Sequence, residues 1–279
     1  MRKYILLLVP FIVLAAFHDP VEENLDELSD PSAIRAVLES IENPAVYDAY
    51  AFLVSYMPAV DLVALEPEEY LDEVRAAFRI RDEVSWGKSI PDEIWFNYVL
   101  PHRVSQEPLE YWREYLYYEL KPVIDTCSSD VSAALAINRW CADHVYFKQT
   151  QRQDQGVFET LKSGYGRCAE MAIIYVSALR ACSIPARSAW TPYWPHCDNN
   201  HAWVEVWAGG RWNFTGGCEP RDSLNDAWFA KSARTAAVVV TTCYGKALSD
   251  EPIYKERDKY TMIYSTDNYG IETGELVVN

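Results

Sequence analysis

With 279 residues, 49% of them hydrophobic, the chain can bury one sizeable core with an accessory region or two small domains, and it is too apolar to be disordered. Its formal charge of −16 and isoelectric point near 4.7 exclude nucleic-acid binding by phosphate neutralisation, which needs a basic face. Acidity of this size serves solubility.

Met1-Arg2-Lys3 and the nearly all-apolar run 4–17 have the basic start and apolar stretch of a secretory signal peptide, too short to span a membrane comfortably. No Ala-x-Ala cleavage site is evident and no cysteine follows Ala15-Ala16, so residues 1–17 are expected to be a signal peptide or a retained anchor. The expected location is secreted, periplasmic or cell-envelope. Residues 18–125 read as a helical region. Asp30-Pro31 precedes Ile34, Val37, Leu38 and Ile41 at helical spacing, and Leu71, Val74 and Phe78 follow Pro67 in the same way. A third helix is expected after Pro108 from Leu109, Trp112 and Leu116, and a fourth is capped by Ser129-Asp130 and runs to about His144. The acidic runs 22–30 and 66–73 are solvated faces without the oxygen spacing of a calcium loop.

The polar stretch 149–155 reads as a loop. Gly164-Tyr165-Gly166-Arg167-Cys168-Ala169-Glu170 then opens a helix in which Ala172, Tyr175 and Leu179 follow Cys168 on one stripe. Pro185 ends it, having no N–H and disfavouring helical backbone before it. A thiol is a nucleophile as thiolate, which a helix N-terminus and a neighbouring imidazolium both favour.

Downstream, His201, Trp203, Glu205 and Trp207 alternate with Ala202, Val204 and Val206, a strand with two faces. Gly209-Gly210 reads as a two-residue hairpin loop that pairs Ala208 with Arg211, Trp207 with Trp212 and Val206 with Asn213. Continued without a bulge, that register sets Cys218 opposite His201.

These residues together resemble the transglutaminase-like superfamily, in its secreted bacterial branch. The motifs are Gly-x-Gly-Arg-Cys at the helix start, Ser183-Ile184-Pro185-Ala186-Arg187 after it, and His-Ala-Trp-Val-Glu-Val-Trp followed by Gly-Gly-Arg-Trp. Residues 86–113, with Tyr98-Val99-Leu100-Pro101, resemble that branch's helical lead-in. The resemblance implies an α+β, papain-like core over 126–247, in which a cysteine-bearing helix packs on an antiparallel sheet. The helical region 18–125 precedes that core and a short β-rich tail, 248–279, follows it. It further implies Cys168 as nucleophile, His201 as general base and acid, and an acidic third member. Many relatives place an aspartate four residues after the return-strand tryptophan; here Gly216 holds that place, and Glu219 is the nearest acidic candidate. A bulge at Gly216-Gly217 turns Glu219 toward His201, whereas a regular ladder leaves Cys218 there. Glu219 is taken as the third catalytic residue. Asn213 is disfavoured, because its partner lies five residues from His201, about 17 Å along a strand.

Trp203, Trp207 and Trp212 are expected as core and cleft walls, Trp190, Tyr193 and Trp194 as a loop before His201, and Arg187, Glu170 and Glu205 as surface or helix-cap ion pairs. Beside Cys168, six cysteines fit an oxidising compartment and allow fifteen pairings; Cys197 paired with Cys218 would brace the His201 hairpin. Without a Cys-x-x-Cys pair, zinc is disfavoured and no cofactor is expected. The expected function is a secreted cysteine-dependent amide-bond enzyme acting through a Cys168 thioester, hydrolysing peptide, glutamine or glycan-linked amides. The alternatives are a cross-linking transglutaminase and an inactive peptide- or glycan-binding module. The expected partners are a peptide, protein or glycopeptide substrate, no nucleic acid, and a membrane only through an uncleaved N-terminal segment.

Overall fold

A computed structural model describes residues 20–150, 154–257 and 259–270. The expected signal or anchor segment 1–17, Gln151, Gln153 and the strand-like residues 276–278 lie outside them. Among the described residues no helix is long and apolar enough to cross a membrane.

The N-terminal region is helical: α1 Ser32–Ser40, α2 Pro44–Ser55, α3 Ala59–Ala64, α4 Pro67–Glu83, α5 Asp92–Tyr98 and α6 Arg113–Ile124. The N-cap of α1 is Pro31 and not Asp30, whose carboxylate accepts the Ser32 N–H at 3.0 Å from one residue further back; Ile34, Val37 and Leu38 are buried, while Ile41 lies beyond the last turn in extended backbone. Helix α2 escaped the periodicity reading because residues 49–55 are all buried; a helix apolar on every side has no polar stripe to reveal it. The helix expected from Pro108 begins at Arg113, whose N–H is taken by Glu73 of α4 at 3.2 Å. Next, α7, Asp130–His144, starts with the Ser129 cap, closed reciprocally by Ser132.

A parallel two-residue ladder joins β1, Tyr146–Phe147, to β2, Tyr165–Gly166, across α8, Val157–Ser163. Helix α9, Cys168–Ala181, leads to β3, Ala186–Thr191, then to β4, His201–Ala208, and β5, Arg211–Thr215. The short α10, Ala230–Ala233, precedes β6, Val240–Cys243, β7, Ile253–Glu256, and β8, Thr261–Tyr264. One antiparallel sheet has the order β5-β4-β3-β6-β8-β7. The two faces of β4 pack separately. Val204, Val206 and Ala208 share the main core with Ile173, Tyr175 and Leu179 of α9, and Trp203 joins a second cluster with Trp194, Phe214, Phe229 and Tyr269.

The lead-in region holds the far end of α9. Trp86 Nε1 donates to the Cys182 carbonyl at 3.0 Å and Trp95 Nε1 to Ser183 Oγ at 3.1 Å. Buried Arg113 donates to the carbonyls of Arg180, Val99 and Leu100, and buried Arg180 to those of Ala186, Pro101 and Arg103. These charged donors reach carbonyls at the end of α9 and in its flanking loops, where the Arg180 carbonyl also accepts the Ser183 N–H at 3.1 Å.

The strand-like residues 260–264 of the β-rich tail supply β8, which pairs with β6, and β7 pairs with β8, so the sheet runs past residue 247. Two expectations are corrected. Trp190 lies within β3 and not in a loop. Arg187 and Glu205 form no surface pair: the buried Arg187 Nε donates to Glu205 at 2.8 Å, its Nη1 meets Glu251, and its guanidinium lies 4.0 Å from the Trp212 ring centroid. Glu205 also accepts from Ser265, from Asn268 at 3.1 Å and from Tyr269 at 2.7 Å, so the residues after 247 complete a network inside the core.

Candidate active site

The start of α9 is built around Glu170. Its carboxylate accepts the Arg167 N–H at 2.9 Å and Thr150 Oγ1 at 2.9 Å, with Arg167 Nε at 3.1 Å. Glu170 is therefore a helix cap, as its position suggested, but a fully buried one. This arrangement presents Cys168 at the first position of a 14-residue helix, half-buried. Burial pushes the thiol up from its ordinary value, against the backbone N–H groups of Ala202 and Ala169 and the Arg167 charge, which favour the thiolate.

His201 begins β4 opposite Thr191. Its imidazole sits in an aromatic box, with ring centroids of Trp228 at 4.8 Å, Phe229 at 5.1 Å, Trp203 at 5.8 Å and Trp194 at 6.0 Å. The Nε2 atom is buried without a hydrogen-bond partner. Burial holds the imidazole down to about 4. Burial thus disfavours the charged form of both groups.

The hairpin has the expected register, from Ala208 opposite Arg211 to Val206 opposite Asn213, and continues to Val204 opposite Thr215. Gly209 and Gly210 take the left-handed conformation that the two-residue loop needs, with φ of 61° and 75°. Beyond Thr215 the chain forms neither a regular ladder nor a bulge. It reverses in a turn that bridges Gly216 to Glu219, with Cys218 at φ 53°. Asn138 of α7 anchors this turn through the Gly216 carbonyl at 2.8 Å, and Gly217 presses so close to α9 that a Cβ would lie 2.6 Å from the Met171 carbonyl oxygen.

Cys218 consequently does not face His201. Its sulfur contacts the Met171 carbonyl at 3.5 Å and the thiol of buried Cys141, while Cys197 is exposed and free, so the bracing Cys197–Cys218 pair is not formed. Asn213 braces the hairpin, donating to the carbonyls of Ala208 and Arg211 at 2.9 Å each.

Glu219 folds back over Gly216, its Oε2 lying 2.1 Å from where a Gly216 Cβ would stand. Its carboxylate accepts from Trp228 Nε1 at 2.9 and 3.1 Å. Burial raises this carboxyl above its ordinary value, opposed by the Trp228 hydrogen bond and the Arg221 charge. Cys168, His201 and Glu219 line one cleft of about 410 Å³ together with Trp194, Trp228 and Gln149, but no described hydrogen bond joins Glu219 to His201. Sequence reasoning had not assigned a role to Trp228; its pairing with Phe229, another large apolar ring just beyond the turn, was the available signal. Of the loop glutamines, exposed Gln149 faces the cleft. A second cleft of about 340 Å³, lined by Trp190, Tyr244 and Tyr260, adjoins it and shares Arg167, Cys168, Asn200 and Ala202. Among the described residues, no group of three or more His, Cys, Asp or Glu side chains is placed to hold a metal ion.

Residues 120–215 match the family model described as the transglutaminase-like superfamily. That segment contains Cys168 and His201 and ends at the last residue of β5, before the turn that carries Glu219. No curated protein matches the chain. Among solved structures, a Cytophaga hutchinsonii protein provisionally named a cysteine protease is 20% identical, with a TM-score of 0.34. The likeness covers 55% of this chain and 58% of that one, so the chain spans little more than half of that protein's length.

Proposed function

We propose that this chain, whose residues 120–215 match the transglutaminase-like family model, is a cysteine-dependent acyl-transfer enzyme that cleaves amide bonds. The observation that carries this reading is the convergence of Cys168, at a helix N-terminus, and His201, at a strand end, in one cleft. The Cys168 sulfur attacks the amide carbon while His201 takes the thiol proton. The backbone N–H of Cys168 donates to the developing oxyanion, and Gln149 stands at the same cleft as a second donor. His201 then delivers its proton to the leaving amine and a thioester remains. Water resolves that thioester in the hydrolytic reading we favour; a lysine amine would resolve it as a cross-link.

Two adjoining clefts share Cys168 and leave room there for an acyl donor and an incoming nucleophile. The aromatic walls Trp194 and Trp228 suit a peptide, protein or glycopeptide substrate. Secretion, signalled by residues 1–17, belongs to the same proposal.

One observation favours the alternative, an inactive module that keeps the cleft: the buried His201 Nε2 has no hydrogen-bond partner. Alkylation separates the two readings. With His201 held to about 4 and the thiol raised, Cys168 carries no resting ion pair, so its iodoacetamide reactivity should rise with pH and show no plateau between about pH 4 and 8. At neutral pH the rate should drop about tenfold or more in His201→Ala, which removes the base that takes the thiol proton. A rate unmoved by His201→Ala would leave only the binding module.

A further inference from the structure

Acyl transfer obliges His201 to become an imidazolium, yet the surroundings of its ring supply no direct carboxylate. The buried Nε2 has no partner, and the acidic residue of the cleft spends both its oxygens on an indole N–H. That indole belongs to Trp228, whose ring centroid is the nearest of the four around the imidazole, at 4.8 Å with the planes inclined by 51°. Trp228 is 56% exposed, so filling the core does not explain its place. The neighbouring rings differ: buried Trp203 gives its N–H to Tyr269 at 2.7 Å, away from the carboxylate, and Phe229 has none to give.

We propose that Glu219 acts on His201 through Trp228: the carboxylate fixes the indole by its N–H, and the indole ring orients the imidazole and stabilises the imidazolium formed when it accepts the Cys168 proton. The proposal rests on the reading of Cys168 and His201 as an acyl-transfer pair. A cation within about 6 Å of an indole centroid is attracted by the ring, and an N–H held by a carboxylate makes that ring a better partner. The proton balance is simple. The S–H bond of Cys168 breaks, an N–H bond forms on His201, and Glu219 stays a carboxylate throughout. Trp228 and Glu219 are thus positioning residues. Gly216 fits the same scheme, since the carboxylate occupies the space its side chain would need.

The test is a double-mutant cycle read by the rate of Cys168 alkylation at pH 7.5, with the protonation of His201 followed by NMR of the ¹⁵N-labelled imidazole; neither readout needs a substrate. Glu219→Gln should slow alkylation about fivefold in the wild-type background and less than about twofold in the Trp228→Phe background, because the substituted ring has no N–H for the carboxylate to hold. Trp228→Leu should slow it more than Trp228→Phe, and should make His201 harder to protonate. Equal effects of Glu219→Gln in both backgrounds would overturn the proposal by showing that the carboxylate reaches the imidazole itself. No effect of Glu219→Gln in the wild-type background would overturn it as well. The half-exposed position of Trp228 leaves its variants free to fold, and near-ultraviolet circular dichroism checks that they do. If the acyl-transfer reading itself is wrong, Cys168 is alkylated at the same rate in His201→Ala as in the unmutated protein, a result separate from every arm of the cycle.

Discussion

At position 216 the missing side chain is a spatial requirement, since a Cβ there would meet Glu219 Oε2 at 2.1 Å and Glu219 Cβ at 2.8 Å. Strand β5 stops at Thr215, one residue before Gly216, and the Glu219 carboxylate returns from the far side of a turn. Gly216→Ala should therefore displace Glu219 or open the turn, costing about 1–3 kcal/mol in urea unfolding. It should also slow Cys168 alkylation at least as much as Glu219→Gln. Unchanged stability together with an unchanged rate would show that the turn yields freely and that its fit is unimportant. The candidate residues Cys168, His201 and Glu219 were legible in the sequence because a helix start, an alternating strand and a Glu-Pro pair are local patterns. Trp228 was not, because its value lies in what it touches: a carboxylate nine residues back and an imidazole twenty-seven residues back.

Among the elements, α9 is the one on which the site depends, and its two ends are secured differently. At the N-terminus Glu170 satisfies the first donors locally, a capping pattern visible in Arg167-Cys168-Ala169-Glu170. At the C-terminus the partners come from residues 86–113, through Trp86, Trp95 and Arg113, and Arg180 reaches back to the carbonyls of Pro101 at 2.8 Å and Arg103 at 2.9 Å. Burial holds Arg180 down to about 10, which leaves it charged at neutral pH. Arg180→Met keeps much of the volume but strands three buried carbonyls, so a loss of about 3 kcal/mol or more is expected in urea unfolding. A change below about 1 kcal/mol would mean that water replaces the guanidinium and that the lead-in does not hold the nucleophile helix. The periodic helices α1, α4 and α7 could be read because each shows one apolar face. Helix α2 could not, and α6 began later than its apolar spacing implied because Glu73 from another helix supplies its first partner.

Over the whole molecule, the segment after residue 247 is part of the fold. It contributes β7 and β8 to the sheet, and Glu251, Ser265, Asn268 and Tyr269 to the network around Arg187 and Glu205. Ending the chain after Ala247 should uncover the edge of β6 and leave Glu205, fully buried, with Arg187 as its remaining described partner. The expected result is a loss of about 5 kcal/mol or more, seen as a fall in Tm of roughly 10 °C or more or as loss of the cooperative transition. A truncated protein that melts like the full chain would make the tail an appendage. Sequence by itself determined the thiol, the imidazole, their helix and strand, and the hairpin register, because each follows from side-chain period, turn chemistry and capping within about fifteen residues. Only the tertiary structure decided how Glu219 stands toward His201, that Trp228 lies between them, that Arg187 and Glu205 are buried, and that the tail completes the sheet. Those outcomes depend on contacts between residues far apart in the chain, made possible by the close approach at Gly216 and Gly217, and no local pattern encodes which distant groups will fill the same space.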